Sequence, residues 1–456
     1  MSASASVSSM APGAIPVLGH ALKLRDDPIG WFQSLRERGD VVRIRIGWQQ
    51  AYVVTSTAVS HELFVTKYRS FDKGVAVEHF RDVFGQGLLS SDGETHRMHR
   101  LLLQPAFHRE RLAEYLVGMR EQITEQADSW HAGQALDARI AMTAITLGVV
   151  ARAITSARVA DELTAEVQQR LPRILELSYR RAMSPLPMLN RLPLPRNREW
   201  TELVARLHPL VDQVIADYRR TDTRRSDLLS MMLDARASDG SAGSQGSMTL
   251  SDSVIHDQIV TILLAGTETT ATALSWTFVL LSGHPAVEQR VVAELADVLG
   301  DKPIEHADLA RLPYTTRVIE ESLRHSPPIW LITRRAVEDV ELGGHHIPRG
   351  ASVLLSPYLT GHDPALIPDP EVFDPDRWAS EPMTNALRRA ALPFGAGPRK
   401  CIGDSFAVTE IAVALATILR KWRLRVNPGT PITAEAGLTY YPRDLWLIVT
   451  PRMTEI

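Results

Sequence analysis

Apolar residues recur along this chain with two different periods, and the change of period separates a β-rich beginning from a long helical middle. Residues 41–46 (VVRIRI) and 51–55 (AYVVT) are β-branched and alternate or run together, with the turn-like Gly47-Trp48-Gln49-Gln50 between them. That pattern predicts two paired strands. Just before them, Pro28-Ile29-Gly30-Trp31-Phe32 opens a short amphipathic helix that stops near Gly39. From residue 94 to 300 the pattern is mostly helical, with two interruptions. The prolines of 183–198 (MSPLPMLNRLPLPRNR) exclude a continuous helix. The composition of 236–250 (RASDGSAGSQGSMTL) predicts a flexible loop. Ser251 or Asp252 then caps a long helix that runs to Gly283-His284-Pro285. Helices over 286–299 and 313–325 follow, and strand signals return at 336–342, 351–355 and 445–450. There is no internal repeat. Many helices around a smaller β-region predict a mostly α, α-rich α+β fold.

Composition sets bounds on this picture. The 456 residues are 45% hydrophobic and 23% charged, enough apolar material for a large core. No linker divides the chain, so the expectation is a flexible tail over 1–20 and a single domain over 21–456. Lys and Arg number 50 against 53 Asp and Glu, a net charge of −3, which gives no electrostatic reason to expect nucleic acid. The small, polar first twenty residues lack the basic and apolar regions of a signal peptide. No apolar run reaches the roughly 18 residues of a membrane helix, so the expectation is a cytoplasmic, monomeric enzyme without a membrane span. One cysteine, Cys401, excludes an intramolecular disulfide and a cysteine-based structural zinc site. His345-His346, in a Gly-rich turn without further ligands at suitable spacing, reads as a solvated turn.

The chemistry concentrates around that cysteine. Phe394-Gly395-Ala396-Gly397-Pro398-Arg399-Lys400-Cys401-Ile402-Gly403 places three glycines and a proline about one thiol, a tight irregular loop. Glycine lets the backbone turn its N–H groups toward a sulfur, and the helix beginning after Gly403 would lower the thiol pKa further. An isolated Cys is most often a small core residue. The pattern F-x-x-G-x-R-x-C-x-G, however, fixes five residue types and arises by chance in well under ~1 chain per thousand. In the long helix, Ile262, Ala265, Gly266 and Thr269 share one face, and a mid-helix glycine costs roughly 1 kcal/mol relative to alanine. Either two helices pack closely there, or something fits against the backbone. Glu321 and Arg324 stand at i, i+3, by themselves an ordinary surface pair.

The cysteine segment resembles the signature of the cytochrome P-450 family at every fixed position, from Phe394 to Gly403, and Phe406-Ala407 and Glu410 resemble that family's helix behind the haem. The resemblance implies the P-450 fold, haem b as cofactor, O2 as co-substrate, and Cys401 as axial thiolate ligand of the iron. Ala265-Gly266-Thr267-Glu268-Thr269-Thr270 resembles the family's oxygen-binding groove. By that resemblance the Thr269 hydroxyl acts at the bound oxygen and Glu268 relays protons through water. Glu321, Arg324 and Arg377, the last in Phe373-Asp374-Pro375-Asp376-Arg377-Trp378, match the family's structural network. His96, Arg100, Arg334 and Arg399 match its cations for the haem propionates, with His96 where many members have Trp.

The family's substrate-contact regions map onto Val77, Phe80, Phe84, Leu88, Ile329, Trp330, Leu331, Ile332 and Leu438, all apolar or aromatic, with Arg81 the one cation available as an anchor. A compact hydrocarbon fits such a lining. Arg191-Leu192-Pro193-Leu194-Pro195 and Trp330 are similar to the bacterial sesquiterpene oxidases that act on epi-isozizaene or pentalenene. Macrolide, polyketide and fatty-acid substrates remain alternatives, as do a peroxygenase and a non-catalytic haem-binding protein. Only 55 residues follow Cys401, so the resemblance implies separate electron donors, a ferredoxin and its NAD(P)H-dependent reductase. Arg388, Arg389, Arg399 and Lys400 offer a cationic surface for an acidic partner. Replacing Cys401 with Ala should abolish the thiolate-type haem absorption spectrum, and an unchanged spectrum would place the axial ligand elsewhere.

Overall fold

A computed structural model of the chain describes residues 8–155, 157–182, 184, 187–220, 227–234, 236–238, 247–429 and 431–452. Ten helices of at least eleven residues dominate the described residues. They are α1 (Gly93–Leu103), α2 (Arg109–Asp128), α3 (Ala138–Ile154), α4 (Ala157–Ala182), α5 (Pro195–Arg220), α6 (Asp252–Gly283), α7 (Pro285–Leu299), α8 (Pro313–His325), α9 (Glu381–Ala391) and α10 (Asp404–Lys421). The main strands are β1 (Val41–Ile46), β2 (Gln49–Val54), β3 (Phe71–Asp72), β4 (Ala135–Asp137), β5 (Ile332–Ala336), β6 (Ser352–Leu355), β7 (Trp422–Val426) and β8 (Trp446–Pro451).

The largest sheet has the order β1-β2-β6-β5-β3, with β2 and β6 parallel and the other pairs antiparallel. Its alternating side chains serve two cores. Val41, Tyr52, Val54, Val353 and Leu355 pack on one face; Val42, Ile44, Ala51, Val53 and Leu354 pack on the other. The β1–β2 turn is tighter than hydrophobicity alone predicts, because Gln49 and Gln50 pair with Ile46 and Arg45. Likewise β5 begins at Ile332, ahead of the apolar signal, since pairing with β6 and not side-chain polarity sets its length.

The segment expected to be a free tail is docked from Ser8 onward. Ala11 N–H donates to Arg43 O at 2.8 Å, Arg43 N–H donates to Ser9 O at 2.8 Å, and Ala11 and His20 are buried. Unpaired backbone groups on β1 draw the segment in as an added edge; residues 1–7 lie outside the described residues. The expected loop over 236–250 closes at its ends into a hairpin, Arg236–Ser238 against Ser247–Thr249, while 239–246 lie outside the described residues.

Helix α6 organises the rest. The Ser251 hydroxyl caps it by accepting from Val254 N–H at 3.4 Å. Its first half (Ile255, Ile259, Val260, Leu263, Leu264) packs with α3, α4 and α5. Its second half, Ala271 to Leu281, packs with α2, α7, α8 and α10. Between the two cores lies a polar seam of buried Thr267, Glu268, Thr270 and Thr272.

A second buried polar unit sits under α8. Glu321 and Arg324 each have 0% exposed side chains and form two hydrogen bonds of 2.8 Å. Glu321 also accepts from Arg377 Nε at 2.9 Å, Trp378 Nε1 at 2.8 Å and Asp374 N–H at 3.0 Å. Arg324 donates onward to the carbonyls of Gly361, Pro370 and Val372. A buried charge survives only with such complete pairing. Replacing Glu321 with Gln, which keeps the shape and removes the charge, should cost about 3–5 kcal/mol. A denaturant midpoint equal to wild type would contradict that.

Candidate functional site

The Cys401 loop is shaped by its glycines. Gly395 and Gly397 have φ of 68° and 69°, and a Cβ on Gly397 would lie 2.1 Å from Phe64 O. No other residue tolerates both conditions. The loop is closed by Cys401 N–H donating to Phe394 O at 2.9 Å and Lys400 N–H to Gly397 O at 3.0 Å, and Arg100 holds Lys400 O at 2.6 Å. Cys401 lies deep within the protein yet carries accessible surface, so its sulfur faces an interior space and not bulk water. Burial pushes the thiol pKa up, and the Gly403 N–H aimed at the sulfur opposes it. The lowering expected from the helix start is therefore outweighed by burial of the thiol, which metal coordination would deprotonate outright.

A cluster of cations adjoins the loop. Arg399 donates to Asp92 at 2.7 and 3.1 Å and to the carbonyls of Tyr68 and Phe71 at 2.8 Å. Arg334 is buried, lies over the Phe64 ring at 4.9 Å, and is pushed down to about 10 by burial and then by Arg399. Burial, followed by Lys73 and Arg399, lowers His96 to about 3. Lys73, absent from the sequence-based candidates, donates to Leu88 O and Leu89 O at 2.6 and 2.9 Å and is lowered to about 7, chiefly by burial. Lys73, Arg334 and Arg399 adjoin the carboxylate of Asp92, with Asp72 also near Arg334 but paired with Arg335; Arg399 holds Asp92 below the usual range against the upward push of burial. Such a surplus of buried positive charge suits a ligand with two carboxylates, which is what haem brings.

At the seam of α6, the Thr269 hydroxyl donates to Ala265 O at 2.8 Å. Ala265 and Thr269 are half-buried. At Gly266 the first of the two readings, close helix packing, has structural support. A Cβ there would stand 3.1 Å from Val150 Cγ2, so the glycine admits α3. Glu268 turns away from Thr269. Its Oε1 lies 3.3 Å from Arg139 Nη2 and accepts from the Thr439 hydroxyl at 3.4 Å, while Oε2 is buried without a hydrogen-bond partner. Arg139 lies over the Tyr441 ring at 4.7 Å and its side chain is 38% exposed. The acid is therefore linked toward the surface and the alcohol toward the interior.

The apolar candidates divide. Val77, Phe80, Ile329, Leu331 and Leu438 are partly accessible, and Phe80, Leu438 and Ile262 pack on one core together with Ile402 beside the cysteine. Phe84 and Trp330 are buried at 3% and 2% exposure. Trp330 instead donates to Gly437 O at 2.8 Å and packs near Phe32 in the core behind the large sheet. Leu331 beside it packs against the same core but stays partly accessible. Arg81 Nε donates to Ser90 O at 3.3 Å. His345 begins a strand, His345–Ile347, paired with Val340–Leu342, and no group of three potential metal-ligating side chains occurs among the described residues. Sequence reasoning also passed over Asp92, Arg139, Trp378 and Thr439. Only Asp92 carried a local signal, as a helix cap ahead of Gly93.

Comparison with known proteins gives one answer throughout. A family model described as cytochrome P-450 matches residues 10–439. Cyclooctatin synthase of Streptomyces melanosporofaciens is 41% identical over 446 residues, covering 97% of this chain and 96% of that protein. Pentalenene oxygenase of Streptomyces avermitilis is 40% identical over 448 residues, covering 98% of each. The crystal structure of cytochrome P-450DA heme domain superposes with a TM-score of 0.86 at 29% identity, covering 98% of this chain and 99% of that one.

The lowered pKa of Lys73 has a definite sign. The unfolded chain binds this proton up to the ordinary value of 10.5, the folded haem-free chain only up to about 7. Stability of the haem-free protein should accordingly rise as pH increases from 7 toward 10.5. Replacing Lys73 with Met should flatten that rise, and unfolding midpoints across this window measure it.

Proposed function

The chain belongs to the cytochrome P-450 family and is an oxygen-using monooxygenase, and from that premise we propose that it oxidises a terpene-like hydrocarbon. In this reading haem b sits between Cys401 and α6, and electrons come from a separate ferredoxin and its NAD(P)H-dependent reductase. When bound, the haem supplies the iron centre at which O2 is activated for insertion of one oxygen atom into a C–H bond.

The chain's own residues have separable tasks. Cys401, on a loop pinned by Phe394 O and Arg100 and with the Gly403 N–H turned toward it, would hold the iron through its sulfur. Arg399, Arg334, His96, Arg100 and Lys73 face the two carboxylates, and charge-assisted hydrogen bonds of this type are roughly twice as strong as neutral ones. The Thr269 hydroxyl, held by Ala265 O, presents its oxygen lone pairs as acceptors toward the interior. Glu268 moves protons from the Arg139 side toward Thr269, and its partnerless Oε2 is the atom that takes a proton up. Arg389 and the ion-paired Arg388 and Lys400 form the surface an acidic electron donor would meet.

One observation carries the substrate class: the candidate lining residues that stay partly accessible, Val77, Phe80, Ile329, Leu331 and Leu438, are all apolar, and Phe80 and Leu438 pack with the first half of α6. Similarity to a pentalenene oxygenase and a cyclooctatin synthase supports it. Optical titration of the ferric holoenzyme with sesquiterpene and diterpene hydrocarbons, fatty acids and macrolide aglycones tests it. A low-to-high-spin shift confined to terpenes is the expected result. A shift produced only by another class overturns the substrate assignment and leaves the monooxygenase standing.

A further inference from the structure

Two histidines far from the cysteine join three elements over the pocket. His208 on α5 and His256 on α6 approach with Nδ1 and Nε2 2.7 Å apart and ring planes inclined by 25°. His256 Nδ1 lies 2.7 Å from Asp212 Oδ1. His208 also hydrogen-bonds the main chain of Asp82, which leaves its Nε2 for that contact. Asp82 begins the segment 82–88, which α6 also grips: Gln86 N–H donates to Asp257 Oδ2 at 2.7 Å, and Leu88 N–H to Gln258 Oε1 at 2.8 Å. Gly85 approaches so closely that a Cβ would lie 2.0 Å from Asp257 Oδ1.

Counting hydrogens shows what this chain of bonds requires. The Asp82 carbonyl and the Asp212 carboxylate can only accept, so each outer ring nitrogen must carry a hydrogen. The inner nitrogen pair needs one more. Three hydrogens on two imidazoles make one imidazolium. With two neutral rings one of the three bonds is lost; with two charged rings the inner nitrogens meet N–H to N–H. We infer that His208 and His256 form a one-proton latch that fastens segment 82–88 and α5 onto α6, holding the pocket's cover closed in a middle pH range and releasing it on either side.

The surroundings suit a latch that titrates. The pair lines an open surface groove of about 700 Å3 with Asp212, Arg219, Asp252 and Asp257, so protons reach it from bulk water. From α5 it faces Asp212; from α6, Asp257. Arg219 and Asp252 neutralise each other across 2.5 Å, and Arg181 of α4 engages Asp82 at 3.6 Å. Burial, then His256, lowers the His208 pKa, which disfavours a charge on that ring. Pro209, next to His208, interrupts the hydrogen-bond ladder of α5 and lets that helix flex at the latch.

The inference rests on the resemblance that maps Phe84 and Leu88 onto a substrate-contact region, but its test does not require a substrate. Amide hydrogen exchange of the substrate-free holoenzyme, expressed as protection factors, is measured for residues 80–90 between about pH 5 and pH 8, where histidines titrate. Protection should pass through a maximum and fall roughly tenfold on each side, the effect of losing one charge-assisted hydrogen bond. His256→Gln should flatten the profile. Asp212→Asn, at a residue with a 69% exposed side chain, should lower the maximum while the haem absorption spectrum reports an intact fold. A profile without a maximum in the wild type, or the same maximum in His256→Gln, overturns the latch.

Discussion

Everything around the cysteine depends on one buried carboxylate. Glu321 is fully enclosed and receives hydrogen bonds from Arg324, Arg377, Trp378 and the Asp374 main chain. Taking those charges out of water is unfavourable by several kcal/mol for each ion, so the network holds only while every donor is in place. Through Arg324 it fixes the carbonyls of Gly361, Pro370 and Val372. The irregular stretch 362–374 is thereby made rigid without regular secondary structure of its own. Gly361 packs directly on Ala391 at the end of α9, three residues before Phe394 opens the cysteine loop. A loop that carries a metal ligand at its apex needs such a foundation, because its glycines supply shape and no stiffness.

A second constraint is electrostatic. The cations beside the loop outnumber the carboxylates near them, Asp92 and Asp72, and burial depresses the proton affinity of Lys73, His96 and Arg334 together. Charge left uncompensated by the fold is an investment in a ligand, since the same groups become stabilising once a dianion arrives. The opposite wall is built on the same logic in weaker form. Glu268 is buried with one oxygen tied to Arg139 and one without a partner, an arrangement that favours function over stability.

Much of this was legible before any coordinates. The periodicity placed the long helix, with its Ser251 cap and its end at Gly283, and helices over 313–325 and beyond, because strong apolar repeats and capping residues act locally. The cysteine loop was legible because glycine, proline and cysteine at fixed spacing admit few conformations. Glu321, Arg324 and Arg377 were legible as a unit only through the family pattern; nothing in an E-x-x-R by itself distinguishes a buried pair from a solvated one.

By itself, then, the sequence determined the helical class and the tight glycine loop around Cys401, both of which follow from local spacing and residue type. Tertiary structure decided what depends on residues distant in the chain meeting. It drew Ser8 to His20 onto β1, turned Trp330 into the core behind the sheet, and gave Gly266 to the packing of α3. It also aimed Glu268 at Arg139 and brought His208 against His256. Side-chain direction, burial and pairing across such distances are set by packing of whole elements, and no local pattern encodes them.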